Sequence, residues 1–390
     1  MTVKTGIDVL QKNLPDFMKN KTVALLANPA SVNKNLIHSK TIISEIFKDK
    51  LTAIFSPQHG FYAEKQDNMI FSDHLYDPVL NIPVYSLYNE NLKPAPEMLK
   101  NTDILIIDLQ DVGTRVYTFI YTISFCLEAA KENNIKIVIL DRPNPVSGNQ
   151  VEGNILEPEY SSFVGRYPIP MRHGLTCAEF AFFINNEFNI NADIEIIKME
   201  GWNRKMYFED TKLPWVLPSP NLPVPESAYV YPGQVIFEGT NISEGRGTTK
   251  PFELFGAPFI KPEKLKKFII DRYDHKGVFL RETAFEPTSG KWSGERCFGF
   301  QIHIIDKGLY RPYFLSLCLL QGICTLFRDD FRLKQPPYEF EYEKTPLDLI
   351  LGSKKLRKDI EQDKNLYINE KKFNEEIKAY TTKTKPYLLY

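Results

Sequence analysis

In the first 150 residues, short apolar runs rich in β-branched side chains alternate with longer amphipathic stretches, and this alternation restricts the fold more than any other feature of the chain. Thr22-Val-Ala-Leu-Leu-Ala27, Leu51-Thr-Ala-Ile-Phe55, Val84-Tyr-Ser-Leu87, Asp103-Ile-Leu-Ile-Ile-Asp108 and Lys136-Ile-Val-Ile-Leu140 read as strands. Helical spacing runs from Leu36 to Phe47 and from about Tyr117 to Asn133. Strands that are apolar on both faces and separated by helices imply a parallel sheet covered on both sides. Polar residues follow the carboxyl ends of these strands: Asn28, Gln58-His59, Gln110-Asp111 and Asp141-Arg142-Asn144. Open α/β sheets bind their ligands there. The expected architecture is therefore α/β, a Rossmann-like parallel-sheet domain over residues 1–260. A smaller α+β auxiliary domain over 261–390 is expected to close over it, built from a helix near 262–273, strands near 278–283 and 299–305, an apolar helix near 313–326 and charged helices after 346. The first strand ends in Asn28-Pro-Ala-Ser-Val32 rather than a glycine fingerprint, and no Walker A motif occurs, so no nucleotide cofactor is expected.

Charge and cysteine content narrow the function classes. The chain has 390 residues with 48 Lys+Arg against 49 Asp+Glu, which gives no electrostatic reason to bind nucleic acid or an anionic membrane. No apolar run is long enough to span a bilayer, and the first residues lack the apolar core of a secretory signal. A cytoplasmic location is expected, with a trimmed exported protein as the alternative. The five scattered cysteines form no C-x-x-C pair and are expected to be buried free thiols. His59, His74 and His173 show no zinc-ligand spacing, so no metal is expected.

The loop Glu238-Gly-Thr-Asn241-Ile-Ser-Glu244-Gly-Arg246-Gly-Thr248-Thr-Lys-Pro-Phe-Glu253 has the richest chemistry. Thr248-Thr249 before Pro251 reads as a helix N-cap, and its free N–H groups beside Arg246 and Lys250 would attract a carboxylate or phosphate. Glu238 and Glu244 are placed for acid/base work, with Asn241 as a further ligand contact. Gln58-His59-Gly-Phe-Tyr-Ala-Glu64-Lys-Gln-Asp67 brings an imidazole and two carboxylates to a sheet mouth. Asp111, Arg115 and Tyr117 end the fourth strand; Arg172 and His173 precede a helix capped by Thr176 with Glu179 as its capping-box partner. Between Leu213 and Pro232, dense proline with interleaved aromatics suggests a stiff extended wall carrying Asn221. Acids, an Arg, a His, tyrosines and amides are the inventory of carbohydrate hydrolysis, which needs one protonated carboxyl and a second carboxylate.

An ordered series of motifs carries a family resemblance. Gly6-Ile-Asp8, Asn28-Pro29, Ser56-Pro-x-His59-Gly, Asp111-Val-Gly-Thr-Arg115, Leu140-Asp-Arg-Pro-Asn-Pro145, Val151-Glu-Gly153, Ser161-Ser-Phe-Val-Gly165, Pro168-Ile-Pro-Met-Arg-His-Gly174, Pro218-Ser-Pro-Asn221 and Glu238-Gly-Thr-Asn through Phe255-Gly-Ala-Pro258 cover roughly residues 5–305. Together they resemble exo-β-N-acetylmuramidases of the NamZ type. The resemblance implies a Rossmann-like catalytic domain, an auxiliary domain and an active site between them. It also implies release of N-acetylmuramic acid from the non-reducing end of peptidoglycan fragments, without metal or cofactor. Relatives carry Glu in the S-P-E-H-G motif as the expected catalytic carboxylate, whereas this chain has Gln58. An amide cannot serve as general acid or base. The expected catalytic set is therefore Glu64, His59, Asp111 and Glu244, with Gln58, Asp67, Arg115, Tyr117, Arg172, His173, Asn221, Glu238, Asn241, Arg246 and Thr248 contacting substrate. The competing expectation is a muropeptide- or amino-sugar-binding protein that has lost activity.

Overall fold

A computed structural model describes residues 2–390. Its main sheet has seven strands: β1 (Val23–Ala27), β2 (Leu51–Ser56), β3 (Leu75–Asp77), β4 (Ile82–Ser86), β5 (Ile104–Asp108), β6 (Lys136–Leu140) and, after the short antiparallel pair β7 (Glu152–Ile155) and β8 (Pro170–Arg172), β9 (Ile194–Ile197). The spatial order is β3-β4-β2-β1-β5-β6-β9. All neighbours are parallel except the edge pair β3/β4. β1 and β5 are buried along their whole length, as strands covered on both faces must be. Helix Phe119–Glu132 packs on one face, and helix Gly6–Lys12 with helix Ser39–Phe47 packs on the other. The second, smaller part holds a three-stranded antiparallel sheet, β10 (Leu254–Ala257), β12 (Cys297–Ile304) and β11 (Val278–Phe285), backed by the apolar helix Pro312–Leu326.

The chain runs outward from β1 to β2 and β4, then returns to place β5 on the other side of β1. The crevice between β1 and β5 is the topological switch point, where a ligand is expected. Here that crevice is filled by protein. Arg142 donates to both carboxylate oxygens of Asp108, at 2.5 and 2.8 Å, and both residues are buried. Asn28 donates to the Gln110 and Pro218 carbonyls, and the Ser31 and Ser39 hydroxyls donate to the Asp108 carbonyl and carboxylate. Open space is therefore displaced towards the end of β2.

The extended wall expected between Leu213 and Pro232 is only half correct. Pro225–Gln234 is a helix, with Pro225 in its first turn, where the missing N–H costs nothing. Pro232 sits inside it, and the helix packs against Pro312–Leu326. Tertiary packing overrides the local preference of proline at this position. The Thr176 cap forms as expected: its hydroxyl accepts from the Glu179 N–H, and Glu179 accepts from the Thr176 N–H.

Arg115 ties the two parts together. Its side chain is fully buried. Nη1 donates to the carbonyls of Asn154 (2.8 Å) and Ile169 (3.0 Å), and Nη2 donates to those of Ile350 (3.0 Å) and Leu351 (2.9 Å). Ile350 and Leu351 end the helix Pro346–Leu351, whose last carbonyls have no partner within the helix and carry its negative dipole end. Arg115 was expected to touch substrate, but its two terminal nitrogens are committed to backbone, its Nε is buried without a partner among the described residues, and it lines neither cavity of the site. Replacing Arg115 by Met strands buried carbonyls in both parts at about 1–3 kcal/mol each. The expected loss is at least about 3 kcal/mol of stability, read as a lower urea midpoint by circular dichroism.

Candidate active site

Beyond β2, the chain makes a tight loop in which His59 (φ 77°), Gly60 (φ 85°) and Ala63 (φ 54°) all take left-handed backbone. Such geometry costs about 1–3 kcal/mol at a non-glycine residue and persists where the surroundings enforce it. This loop, the start of helix Phe119–Glu132, the segment 219–222, the 238–252 loop and Tyr338-Glu339 enclose a narrow pocket of about 40 Å³. A wider cleft of about 570 Å³ shares Asn68, Glu238 and Arg246 with it and is otherwise lined by residues such as Glu244, Lys291, Trp292 and Lys334.

Two carboxylates line the narrow pocket. Glu238 accepts from Arg246 Nη2 (2.6 Å), the Tyr338 hydroxyl (2.8 Å) and Asn68 Nδ2 (3.2 Å). Glu339 accepts from Gln58 Nε2 (3.0 Å) and the Tyr88 hydroxyl (2.7 Å). The environments differ in kind, because a guanidinium serves Glu238 and only neutral donors serve Glu339. Burial pushes the Glu339 carboxyl up to about 7; the Tyr88 and Gln58 hydrogen bonds pull it down, Glu238 adds to the rise and Arg246 opposes it. A carboxyl that holds its proton near neutrality beside a second carboxylate is the pairing that acid/base chemistry at a glycosidic bond requires.

The remaining charges form a layer in the wider cleft. Glu244 accepts from Lys291 Nζ (2.7 Å) and lies 3.3 Å from Arg246 Nε. Lys291 also donates to the Phe237 and Ile242 carbonyls, so its three protons are used. Arg246 Nη1 is buried without a partner, and its guanidinium lies over the Phe252 ring at 5.3 Å. The Trp292 indole donates to the Asn241 carbonyl (2.6 Å), which fixes an aromatic face in the cleft wall. Burial lowers His59 to about 4, so the ring is neutral at ordinary pH. Its Nδ1 meets the Lys65 carbonyl at 2.8 Å, which assigns the ring proton to Nδ1 and leaves Nε2 an acceptor.

Family models described as the N-terminal and C-terminal parts of exo-beta-N-acetylmuramidase NamZ match residues 23–226 and 229–390. The chain belongs to the NamZ family. It is 45% identical over its full length, and over 91% of the relative's length, to the peptidoglycan beta-N-acetylmuramidase NamZ of Bacillus subtilis (strain 168). Two crystal structures of DUF1343 family proteins from Bacteroides fragilis NCTC 9343 share the fold across 100% of this chain and 99% of their own. Their TM-scores are 0.89 and 0.76, at 33% and 28% identity.

Gln58, His59, Tyr117, Asn221, Glu238 and Arg246 come together around the narrow pocket, and Asp67, Asn241 and Glu244 line the wider cleft. Other expected site residues lie elsewhere. Glu64 is exposed and lines neither cavity; its carboxylate accepts from the Tyr62 N–H and braces the loop at Gly60. Asp111 is buried beneath the pocket, accepting from the Gly113 N–H (2.6 Å) and lying 3.7 Å from His173 Nε2. His173 is buried beside it, and Arg172 donates to Gln150 and to the Val146 carbonyl next to a separate cavity. No helix starts at Thr248, whose hydroxyl donates to the Gly245 carbonyl to close a turn leading into β10; Lys250 pairs with Glu253. The N-terminal anion site expected there does not form, because Gly245 and Gly247, both at positive φ, curl the backbone first.

Sequence reasoning missed Glu339, Tyr88, Tyr338, Lys291, Trp292 and Lys334. One signal was present: Tyr338-Glu-Phe-Glu-Tyr342 alternates aromatic and acidic residues straight after Pro336-Pro337, which an ordinary surface loop does not need. For His59, nuclear magnetic resonance titration of the ring carbon-bound proton should give a midpoint near 4. An ordinary midpoint near 6.5 would show that the loop does not hold the ring out of water.

Proposed function

We propose that this chain is an exo-acting glycoside hydrolase that releases N-acetylmuramic acid from the non-reducing end of peptidoglycan fragments. The pair of carboxylates in a pocket that tapers from about 570 to about 40 Å³ is the observation that carries this reading. A taper of this kind receives the end of a glycan rather than its middle. Trp292 offers an apolar face for a sugar ring, and Asn68, Asn221 and His59 Nε2 offer polar partners for hydroxyl and acetamido groups. Muramic acid differs from glucosamine by a lactyl carboxylate, which calls for a cation. Arg246 and Lys291 are already matched by Glu238 and Glu244. Lys334 lines the cleft above the Tyr338 ring, 5.3 Å from its centroid, with no carboxylate partner among the described residues. We therefore assign the lactyl group to Lys334.

The junction between the two parts is placed near residue 227 in this reading, because helix Pro225–Gln234 packs against the later helix Pro312–Leu326. No helix among the described residues is long and apolar enough to cross a membrane. Five buried free cysteines suit a reducing compartment, which supports action in the cytoplasm on recycled wall fragments. The binding-only alternative gains nothing from the relatives.

An aryl β-N-acetylmuramide should be hydrolysed, and the matching β-N-acetylglucosaminide turned over far more slowly. Equal turnover of both, or of neither, would overturn the assignment. Lys334→Ala should raise KM for the muramide about tenfold and leave kcat nearly unchanged, as expected when one charge-assisted hydrogen bond is lost from the ground and transition states alike.

A further inference from the structure

We propose that Glu339, carried into the pocket by the second part of the chain, is the general acid of this enzyme, and that Gln58 acts as its positioning residue; this rests on the glycosidase reading above. The backbone at Glu339 gives the first ground. Tyr338 and Glu341 exchange both backbone hydrogen bonds, at 2.8 and 2.9 Å, across a two-residue turn in which Glu339 (φ 47°) and Phe340 (φ 65°) are both left-handed. Turns of this kind normally use Asn, Asp or Gly at those positions, because a side chain there is strained. A glutamate and a phenylalanine in succession have no local reason to adopt it.

Tertiary contacts hold the turn from both sides. The Phe340 ring stacks on Phe71 at 5.8 Å and meets the edges of Tyr88 (5.4 Å) and Phe163 (5.5 Å). Opposite to it, the Glu339 carboxyl points into the narrow pocket between Gln58 and Tyr88. Both of its partners are themselves oriented. The Thr118 hydroxyl donates to Gln58 Oε1 (2.7 Å), which turns the amide N–H towards Glu339. The Met69 N–H donates to the Tyr88 oxygen (3.0 Å), so the phenolic proton is committed to Glu339. Strained backbone held by a dedicated shell marks a site where one side chain must stand in one place.

The chemistry follows from that placement. The Glu339 proton passes to the glycosidic oxygen as the bond from that oxygen to the anomeric carbon breaks, and the remaining glycan leaves as an alcohol. Water adds at the anomeric carbon, giving its proton to a carboxylate of the Glu238–Glu339 pair. Protonated Glu339 is the active form, and burial holding its carboxyl up to about 7 keeps that form populated near neutrality. Activity should therefore fall as pH rises through about 7, an alkaline limb owned by Glu339.

Glu339→Gln is tested in the full chain on two substrates: a muramyl-glucosamine disaccharide, whose leaving alcohol needs a proton, and a 2,4-dinitrophenyl β-muramide, whose leaving group does not. The expected result is a loss of about 10²–10⁴-fold in kcat on the disaccharide, a loss of less than about tenfold on the dinitrophenyl glycoside, and no alkaline limb. Equal losses on both substrates with the limb intact, or activity within a few-fold of the parent, would overturn the assignment. If Glu339→Gln does not fold, Gln58→Glu serves instead. A second carboxylate against Glu339 should move the alkaline limb upward, and a limb that stays in place would be equally damaging. Failure of the unaltered protein on both muramides would defeat the glycosidase reading itself, and the role of Glu339 with it.

Discussion

The buried guanidinium of Arg115 sets the geometry on which the site depends. It has no carboxylate partner among the described residues, and its four backbone acceptors come from segments far apart in sequence: Asn154 and Ile169 on one side, Ile350 and Leu351 on the other. A buried charge satisfied only by carbonyl dipoles is tolerable where those dipoles already have no other partner, as at the end of helix Pro346–Leu351. Pinning that helix also positions the segment just before it, which contains the Tyr338–Glu341 turn. The first part supplies a mouth at the end of β2, and this contact helps fix where the second part sits as it brings a carboxyl there.

The site is shared in the same way. Gln58, Thr118 and Tyr88 come from the sheet half, and Glu339, Tyr338 and the 238–252 loop come from the other. Both carboxylates belong to the second half, and the amide and phenol that hold Glu339 belong to the sheet half. An amide at position 58 would leave the sheet half without chemistry, yet it is well matched to a carboxyl arriving from outside, since it donates where a second carboxylate would repel. The Asp108–Arg142 pair contributes indirectly: by filling the crevice between β1 and β5, it leaves the end of β2 as the opening that the second half can cover.

Most of the architecture was legible in the sequence because strands buried on both faces must be apolar throughout. β1, β5 and β6 were readable to within a residue or so, and helices Ser39–Phe47 and Phe119–Glu132 to within about three, whereas the short helix Gly6–Lys12 was not read at all. The half-buried β9 and the three-residue β3 were not, since partly solvated short strands leave no continuous run. The proline-rich segment was misread in part, because packing of Pro225–Gln234 against Pro312–Leu326 outweighed local preference. Of the loop residues, Gln58, His59, Glu238, Glu244 and Arg246 were identifiable from composition alone. Asp111, His173 and Arg172 are of the same residue types but are buried below or beside the pocket.

The sequence by itself determined the layer order, the polar mouths of the strands and the density of charge in residues 238–253, because these arise from periodicity and composition over short spans. The tertiary structure alone decided which carboxylates meet. Glu238 and Glu339 are about a hundred residues apart in the chain, and Glu339 and Gln58 farther still. No local rule connects positions at that separation. Only the packing that holds a strained turn against Phe71, Tyr88 and Phe163 brings an acid from one half of the chain to an amide in the other.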